Sequence, residues 1–142
     1  MGFEGDNGSW ECYMRYKELQ QRVIFYSVCP INATEKSLDQ VTEFVIRVND
    51  GLIIGNFELH LESGLIRFKT SVDVDGVNKD FKNILRNLAY ANVMIMDLYM
   101  PGIMLVISRA ASAKEAIEKI EGEKEAQRNK GKSSGTVSKA VF

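Results

Sequence analysis

The stretch RVNDGLIIGNFELHLESGLIRFKTSVDVDG, residues 47–76, carries the clearest structural signal in the chain. Hydrophobic and polar side chains alternate on both sides of Ser63 and Gly64, and a two-residue turn there predicts an antiparallel hairpin. In that register the apolar face has these facing pairs: Phe57 and Thr70, Leu59 and Phe68, Leu61 and Ile66. The polar face pairs Glu58 with Lys69 and His60 with Arg67. A slip of one residue would mix the two faces, so the pattern favours this pairing.

The residues before the hairpin predict two strands and a helix. In residues 10–17 two sets of side chains alternate with a period of two, as in a strand with one covered face. In residues 21–29, QRVIFYSVC, apolar side chains occur at both odd and even positions, which is typical of a central strand. Apolar residues then recur at spacings of three and four, so we expect Thr34 to cap a helix over residues 35–49 and Gly51 to form a left-handed cap at its end. The first nine residues are expected to be flexible.

The residues after the hairpin predict a long apolar helix and one or two shorter helical pieces. Asn78 can cap the long helix, and at residues 93–100 its side chains are apolar nearly all round, which is more than one sheet can cover. Pro101 fits the first turn of a new helical piece. Ser112 and Glu115 make a capping box before another.

The order of these elements is strand, strand, helix, strand, strand, helix. It predicts an α+β fold in which helices pack on an antiparallel sheet. Gly122 is expected to end the folded part, so we assign one domain to residues 1–121. Residues 122–142 are polar and rich in Gly, Ser and Lys, and they are expected to form a flexible tail.

The composition argues against a general electrostatic role. The 18 basic and 19 acidic residues give a formal net charge of -1, which provides no long-range attraction for nucleic acid or anionic lipid. The first residues lack the features of a secretory signal, and polar residues interrupt the apolar run at residues 90–107. We therefore expect a cytoplasmic protein without a membrane span, in which Cys12 and Cys29 stay reduced.

No residue pattern in the chain indicates catalysis, a metal site or a cofactor. His60 is the only histidine, and its predicted neighbours favour a surface strand position over a nucleophile or metal site. The acidic residues 73–80 have some features of a calcium loop, yet Ile84 stands where the bidentate Glu is required. Gly51 and Gly55 lack the spacing and the following helix of a phosphate-binding loop.

Five segments of the chain are recognisable: WECY, VIFYSVCP, FVIRVNDGLIIGNFEL, IRFKTSVDV and YANVMIMDLYMPGI. They closely resemble the bacterial YbjN-domain family, whose members are described as sensory transduction regulators. The resemblance covers roughly residues 10–121. Its most specific element is this series: Arg47, Asn49, Gly51, Gly55, Asn56, Phe57 and Glu58.

The resemblance implies a fold similar to that of type III secretion chaperones, frequent pairing into dimers, binding of other proteins and no catalytic residues. One position departs from the pattern. Leu98 stands where the family sequence MDRYLPG has a basic residue, so a partner contact made there by relatives is left open for this chain.

These observations favour a non-enzymatic protein that binds an unidentified protein client, as a regulator or chaperone-like adaptor, and forms a homodimer through the second helix. The candidate interface consists of four methionines: Met94, Met96, Met100 and Met104. Met96→Glu or Met100→Glu is expected to weaken self-association and to leave the monomer fold mostly intact. The alternative is a small-molecule sensor whose ligand contacts these residues: Arg47, Asn49, Asn56 and Glu58.

Overall fold

The computed structural model describes residues 1–133 and contains one antiparallel sheet with helices on one of its faces. The strands are β1 (Gly2–Glu4), β2 (Ser9–Lys17), β3 (Arg22–Val28), β4 (Asn56–Leu59) and β5 (Ile66–Asp73), in the spatial order β1-β2-β3-β5-β4. The helices are α1 (Leu38–Gly51), α2 (Phe81–Ile107) and α3 (Ala113–Ser133). This arrangement confirms the predicted α+β class, with one more strand at the start than the predicted order contains.

Strand β1 corrects the expectation that the first nine residues are flexible. It pairs with the start of β2, with Phe3 opposite Trp10, and the two rings lie 4.9 Å apart. A strand of three residues is too short to show a periodic pattern. Its contact with Trp10 therefore becomes visible only in the folded chain.

Alternation along the strands places one set of side chains under the helices. On β5, Phe68 and Thr70 are 0% and 1% exposed, and Lys69 between them points to the other side. Helix α2 lies across β3 and β5, α1 lies against β4, and α3 packs on both other helices. We call the other side of the sheet the open face; it is formed by the odd-numbered residues 11–17 of β2, the even-numbered residues 22–28 of β3, the odd-numbered residues 67–73 of β5, and Asn56 and Glu58 of β4.

A buried polar contact sets the position of α2 on the sheet. Asn92 is 0% exposed, and its Nδ2 donates to the carbonyl oxygens of Phe25 at 3.0 Å and Phe68 at 3.1 Å. It also lies 3.1 Å from Oγ1 of Thr70, which donates in turn to the carbonyl of Leu88. Because buried polar groups need such partners, these bonds hold α2 at one place on β3 and β5.

The hairpin formed by β4 and β5 has a register different from the predicted one. Phe57 faces Phe68 and Leu59 faces Ile66, so every predicted facing pair was wrong by two residues. Residues 61–64 form the turn, in which the Gly64 N–H donates to the His60 carbonyl at 2.7 Å. A shift of two residues leaves each side chain on its predicted face, because the strand period is two.

Helix α1 begins and ends later than predicted. Its N-cap is Ser37, and Thr34 exchanges hydrogen bonds with Ser37 in a turn that precedes the helix. Gly51 lies in the last turn without a positive φ, so the predicted left-handed cap at Gly51 was wrong. The glycine with φ +75° is Gly55, at the entry to β4.

Two predicted helix ends were also wrong. Pro101 lies inside α2, which continues to Ile107, and α3 passes through Gly122 to Ser133. The part of the predicted tail at residues 122–133 is therefore helical. Residues 134–142 lie outside the described residues, and the domain boundary at residue 121 stays a prediction.

Helix α2 has the length and composition of a membrane-spanning segment. Core helices of proteins that do not enter membranes meet the same criterion, and α2 packs here on the sheet with Asn92 fully buried.

The two cysteines are free and buried. Cys12 is opposite Ser27 on β3, two residues before Cys29. Diagonal neighbours of this kind have Cα atoms roughly 7–8 Å apart, which is too far for a disulfide without backbone movement. Burial raises the pKa of the Cys29 thiol and so keeps it protonated.

Candidate functional site

Asn49 joins the end of α1 to the outer edge of β4. The Phe57 N–H donates to its Oδ1 at 2.7 Å, and its Nδ2 donates to the Phe57 carbonyl at 3.0 Å. The amide of Asn49 therefore replaces a neighbouring peptide unit and satisfies both backbone groups of Phe57. Since unpaired edge groups invite another strand, this contact closes β4 at Phe57 against strand addition. The predicted ligand residue Asn49 thus has a structural partner.

The other three residues of the ligand hypothesis are divided between α1 and the open face. Arg47 is exposed on α1 and lies 3.5 Å from Glu43. Asn56 and Glu58 both lie on the open face of β4, and Asn56 donates to the Phe57 carbonyl at 3.3 Å. A ligand contact at these residues stays a prediction.

Glu58 is the centre of a polar network on the open face. Its Oε1 accepts from Arg67 Nε at 2.7 Å, and its Oε2 accepts from Lys69 Nζ at 3.1 Å. Partial burial raises the pKa of Glu58, but the hydrogen bonds and charges of Lys69 and Arg67 outweigh it, so the pKa lies below the ordinary 4.5. The sequence predicted the pair with Lys69, and the corrected register adds Arg67 directly opposite.

Two tyrosines extend this network towards β2. Tyr13 and Tyr26 stack with ring centroids 4.7 Å apart, and the Arg67 guanidinium carbon lies 4.3 Å from the centre of the Tyr26 ring. Arg67 Nη1 also donates to the Tyr13 hydroxyl at 2.9 Å. Tyr26 thus packs against both Tyr13 and Arg67, and it is only 6% exposed although it lies on the open face.

The structure divides the four candidate methionines. Met96 and Met100 are 0% and 1% exposed inside one chain, so they belong to the core, and the expectation that Met96→Glu or Met100→Glu leaves the fold intact was wrong. Met94 is 36% exposed and Met104 is half-buried. The interface itself stays a prediction, and of the four methionines only Met94 and Met104 are exposed enough to take part in it.

Helix α2 nevertheless presents an apolar side to solvent. We call this side the outer face of α2; spacings of three and four residues place on it Tyr90, Met94, Leu98, Pro101 and Leu105. Tyr90 is 56% exposed, and the last three are half-buried. The surplus apolar surface that the sequence predicted therefore exists, on partly different residues.

Leu98 also lines a small apolar cavity between the helices. The cavity has a volume of about 180 Å³ and is enclosed by residues 51–54, by α2 and by Lys124 of α3. Ile53 on its rim is 85% exposed. Burial and the nearby Glu121 raise the pKa of Tyr99 in the same wall. Leu98 thus lines a cavity at the position where the family resemblance predicts a basic residue.

A wider hollow lies beside β1. It has a volume of about 540 Å³ and is lined by residues of β1 and β2 together with Cys29 and Pro30. Trp10 in its wall is 4% exposed, and its Nε1 has no hydrogen-bond partner among the described residues. A buried N–H without an acceptor is costly, so Trp10 Nε1 is an unsatisfied donor within the described part of the chain.

Sequence reasoning missed the role of Asp97. Its carboxylate accepts from the backbone N–H of Asn7 at 2.8 Å and of Asp6 at 3.2 Å, and a Cβ at Gly5 would collide with Asp97 and Trp10. Asp97 therefore fastens the β1–β2 turn to α2. A lone carboxylate within an apolar helix was the available signal, since such a group needs a partner when it is partly buried.

His60 makes a contact that superficially resembles catalytic machinery. Its Nδ1 lies 3.0 Å from the Ser63 hydroxyl and 3.5 Å from Glu62. A catalytic histidine contacts its nucleophile and its orienting acid through different ring nitrogens, whereas here one nitrogen faces both. Within residues 1–133, no group of three or more His, Cys, Asp or Glu residues is placed to hold a metal ion.

Comparison with known protein families identifies a match over most of the described chain. Residues 2–98 match the model of the YbjN family, whose description is "Putative bacterial sensory transduction regulator". No curated protein and no solved structure matches the chain. The relation to the fold of type III secretion chaperones therefore stays a prediction.

Proposed function

We propose, from the fact that the chain belongs to the YbjN family, that it is a cytoplasmic protein-binding regulator or chaperone-like adaptor without catalytic activity. The proposed working unit is a homodimer, and the proposed client is another protein. The family description supports the regulatory role. The properties of α2 support the dimer.

The observation that carries the proposal is the incomplete burial of α2. This helix is apolar enough for a membrane span, yet only 39% of its most apolar 18-residue stretch is buried by the described part of the chain. The outer face of α2 holds the uncovered part. Contact with a second copy would remove that surface from water, at roughly 25 cal/mol per Å² of apolar area.

The dimensions of α2 suit a self-complementary contact. Its 27 residues span roughly 40 Å at 1.5 Å per residue. A stable dimer buries about 800 Å² on each partner. In a twofold dimer each residue of the outer face meets the same face of the other copy, so one helix can supply most of the contact.

The test introduces a charge at Met94, the most exposed methionine of α2. Met94→Glu is expected to convert the dimer into a monomer while the melting temperature of the monomer stays close to that of the unchanged chain, because the new carboxylate can reach water in the monomer and loses that access in the dimer. Light scattering measures the mass, and circular dichroism measures the melting temperature. Ile46→Glu on α1, where Ile46 is 64% exposed, is the matched control and should keep the dimer.

Each outcome of this test is informative. Met96→Glu, at a core position of the same helix, is expected to unfold the chain. The contrast with Met94→Glu distinguishes a core position from a surface position on α2. A dimer that survives Met94→Glu would contradict an interface on the outer face of α2. A monomeric unchanged chain would reject the homodimer altogether.

One observation favours the second candidate function, a small-molecule sensor. The hollow beside β1 has a volume within the usual range for ligands, and Trp10 lies in its wall. This hollow is separate from the ligand residues expected from the sequence, which stay a prediction. Trp10 is the only tryptophan, so its fluorescence reports binding directly. A metabolite screen that changes neither the fluorescence nor the melting temperature would count against the sensor.

A further inference from the structure

Three basic side chains lie together at one end of the open face. Lys17 and Arg22 face each other directly in the register of β2 and β3, and Arg15 lies two residues before Lys17 on the same side. All three are exposed. Like charges directly opposite each other destabilise a sheet. We call these three residues the basic cluster.

The described part of the chain compensates the basic cluster poorly. Asp73 lies 3.9 Å from Arg22, at the limit of an ion pair. Glu58 is held by its own two cations at the other end of the open face. Within residues 1–133, neither Arg15 nor Lys17 makes an ion pair. The whole chain has a net charge of -1, so this positive charge is a local feature of one surface.

We propose that the basic cluster binds an acidic polypeptide segment of the partner protein. This inference rests on the proposed protein-binding function and adds the charge of the partner and the place where it lies. A carboxylate between Lys17 and Arg22 relieves their repulsion, and a second one can accept two hydrogen bonds from the Arg15 guanidinium. An extended segment suits the flat strand surface, since its alternate side chains point towards the sheet.

The surroundings of the basic cluster favour a polypeptide over a nucleic acid. Single-stranded nucleic acid binds to sheets by stacking its bases on free aromatic rings. Of the two aromatic residues on the open face, Tyr26 packs against Tyr13 and Arg67 and is only 6% exposed, and Tyr13 is 38% exposed with its hydroxyl bound to Arg67. Asp73 also lies directly opposite Arg22 on β5. Its carboxylate would repel a continuous phosphate backbone, whereas a peptide can place its acidic residues selectively.

The experiment measures binding of a short fluorescein-labelled poly-L-glutamate peptide by fluorescence anisotropy. The double variant Arg15→Glu with Lys17→Glu is expected to bind it at least roughly tenfold more weakly, since two ion pairs become repulsions. The control carries the same charge change on α3, where Lys114 and Lys119 are exposed. Lys114→Glu with Lys119→Glu should bind within about twofold of the unchanged chain. Added salt should weaken binding to the unchanged chain.

Several results would overturn the proposal. Absent binding to the unchanged chain, or equal losses in the two double variants, would show that the basic cluster has no specific role. Tighter binding of a charge-matched thymidine oligonucleotide would assign the surface to nucleic acid. Light scattering on the same samples separates this inference from the proposed function: a dimer that does not bind the peptide refutes the acidic partner alone. A double variant that turns monomeric would place the basic cluster in the dimer interface and refute the proposal.

Discussion

The two faces of the sheet use polar side chains in different ways, although they share the same strands. Under the helices, Asn92 and Thr70 are 0% and 1% exposed, and their side chains hydrogen-bond to each other and to backbone carbonyls of β3, β5 and α2. On the open face, the side chains of Glu58, Arg67 and Lys69 are about 30% exposed and form ion pairs. Solvent screens ion pairs of that kind, whereas a buried polar group without partners costs its full desolvation energy. The covered face thus holds the fold, and the open face is free to meet a partner.

The strongest test of this difference is Asn92→Asp. The change removes the Nδ2 donor and places a carboxylate against the carbonyl oxygens of Phe25 and Phe68. We expect a loss of about 3–5 kcal/mol in the free energy of unfolding, or complete unfolding. Urea denaturation followed by circular dichroism measures it. Asn87→Asp, an exposed position on the same helix, should change the stability by less than about 0.5 kcal/mol. Equal effects at both positions would refute the anchoring role of Asn92.

An intermediate effect is expected at the sheet edge, which borders both faces. Asn49→Ala leaves the Phe57 N–H without its side-chain partner and the Phe57 carbonyl with the bond from Asn56 alone, and it should cost about 1–3 kcal/mol. Asn56→Ala removes a single bond of 3.3 Å and should cost less. Hydrogen exchange at the Phe57 amide is expected to accelerate in Asn49→Ala only. Unchanged exchange there would show that Asn49 does not protect the edge.

The smallest effect is expected on the open face, for Glu58→Gln. At pH 7 the loss should stay below about 1 kcal/mol, because solvent screens the two ion pairs. The folded-state pKa of Glu58 lies below the ordinary 4.5, so its contribution is complete above that value and disappears as the pH falls through the lowered pKa. The difference in stability at pH 7 should therefore shrink as the pH falls below 4.5 and through the lowered pKa of Glu58. A difference that grows on acidification would contradict this assignment.

The hairpin illustrates what sequence reasoning could and could not reach. Alternation identified both strands and assigned Phe57 and Glu58 to opposite faces correctly. It could not distinguish a two-residue turn from the turn over residues 61–64, because both leave the faces unchanged. The longer turn is selected by contacts outside the hairpin, among them the Ala33 N–H, which donates to the Gly64 carbonyl at 2.8 Å.

The methionines illustrate a second limit. When a helix is apolar on nearly every side, its hydrophobic periodicity does not identify which side packs against the rest of the chain. Met96 and Met100 are buried within the fold, while Met94 lies on the outer face of α2. The same uncertainty hid Asp97, whose partners Asp6 and Asn7 are roughly 90 residues away in the sequence.

The amino-acid sequence by itself determined the strands of the hairpin, the apolar lines of α1 and α2, the α+β class and the family. These properties depend on the spacing of residues close to one another in the chain, which periodicity reports directly. Tertiary structure alone decided the order of the strands, the register at β4, the use of Asn49 at the sheet edge and the assembly of the basic cluster. Those features arise where distant segments meet, and their free energies depend on packing and desolvation that no local pattern contains.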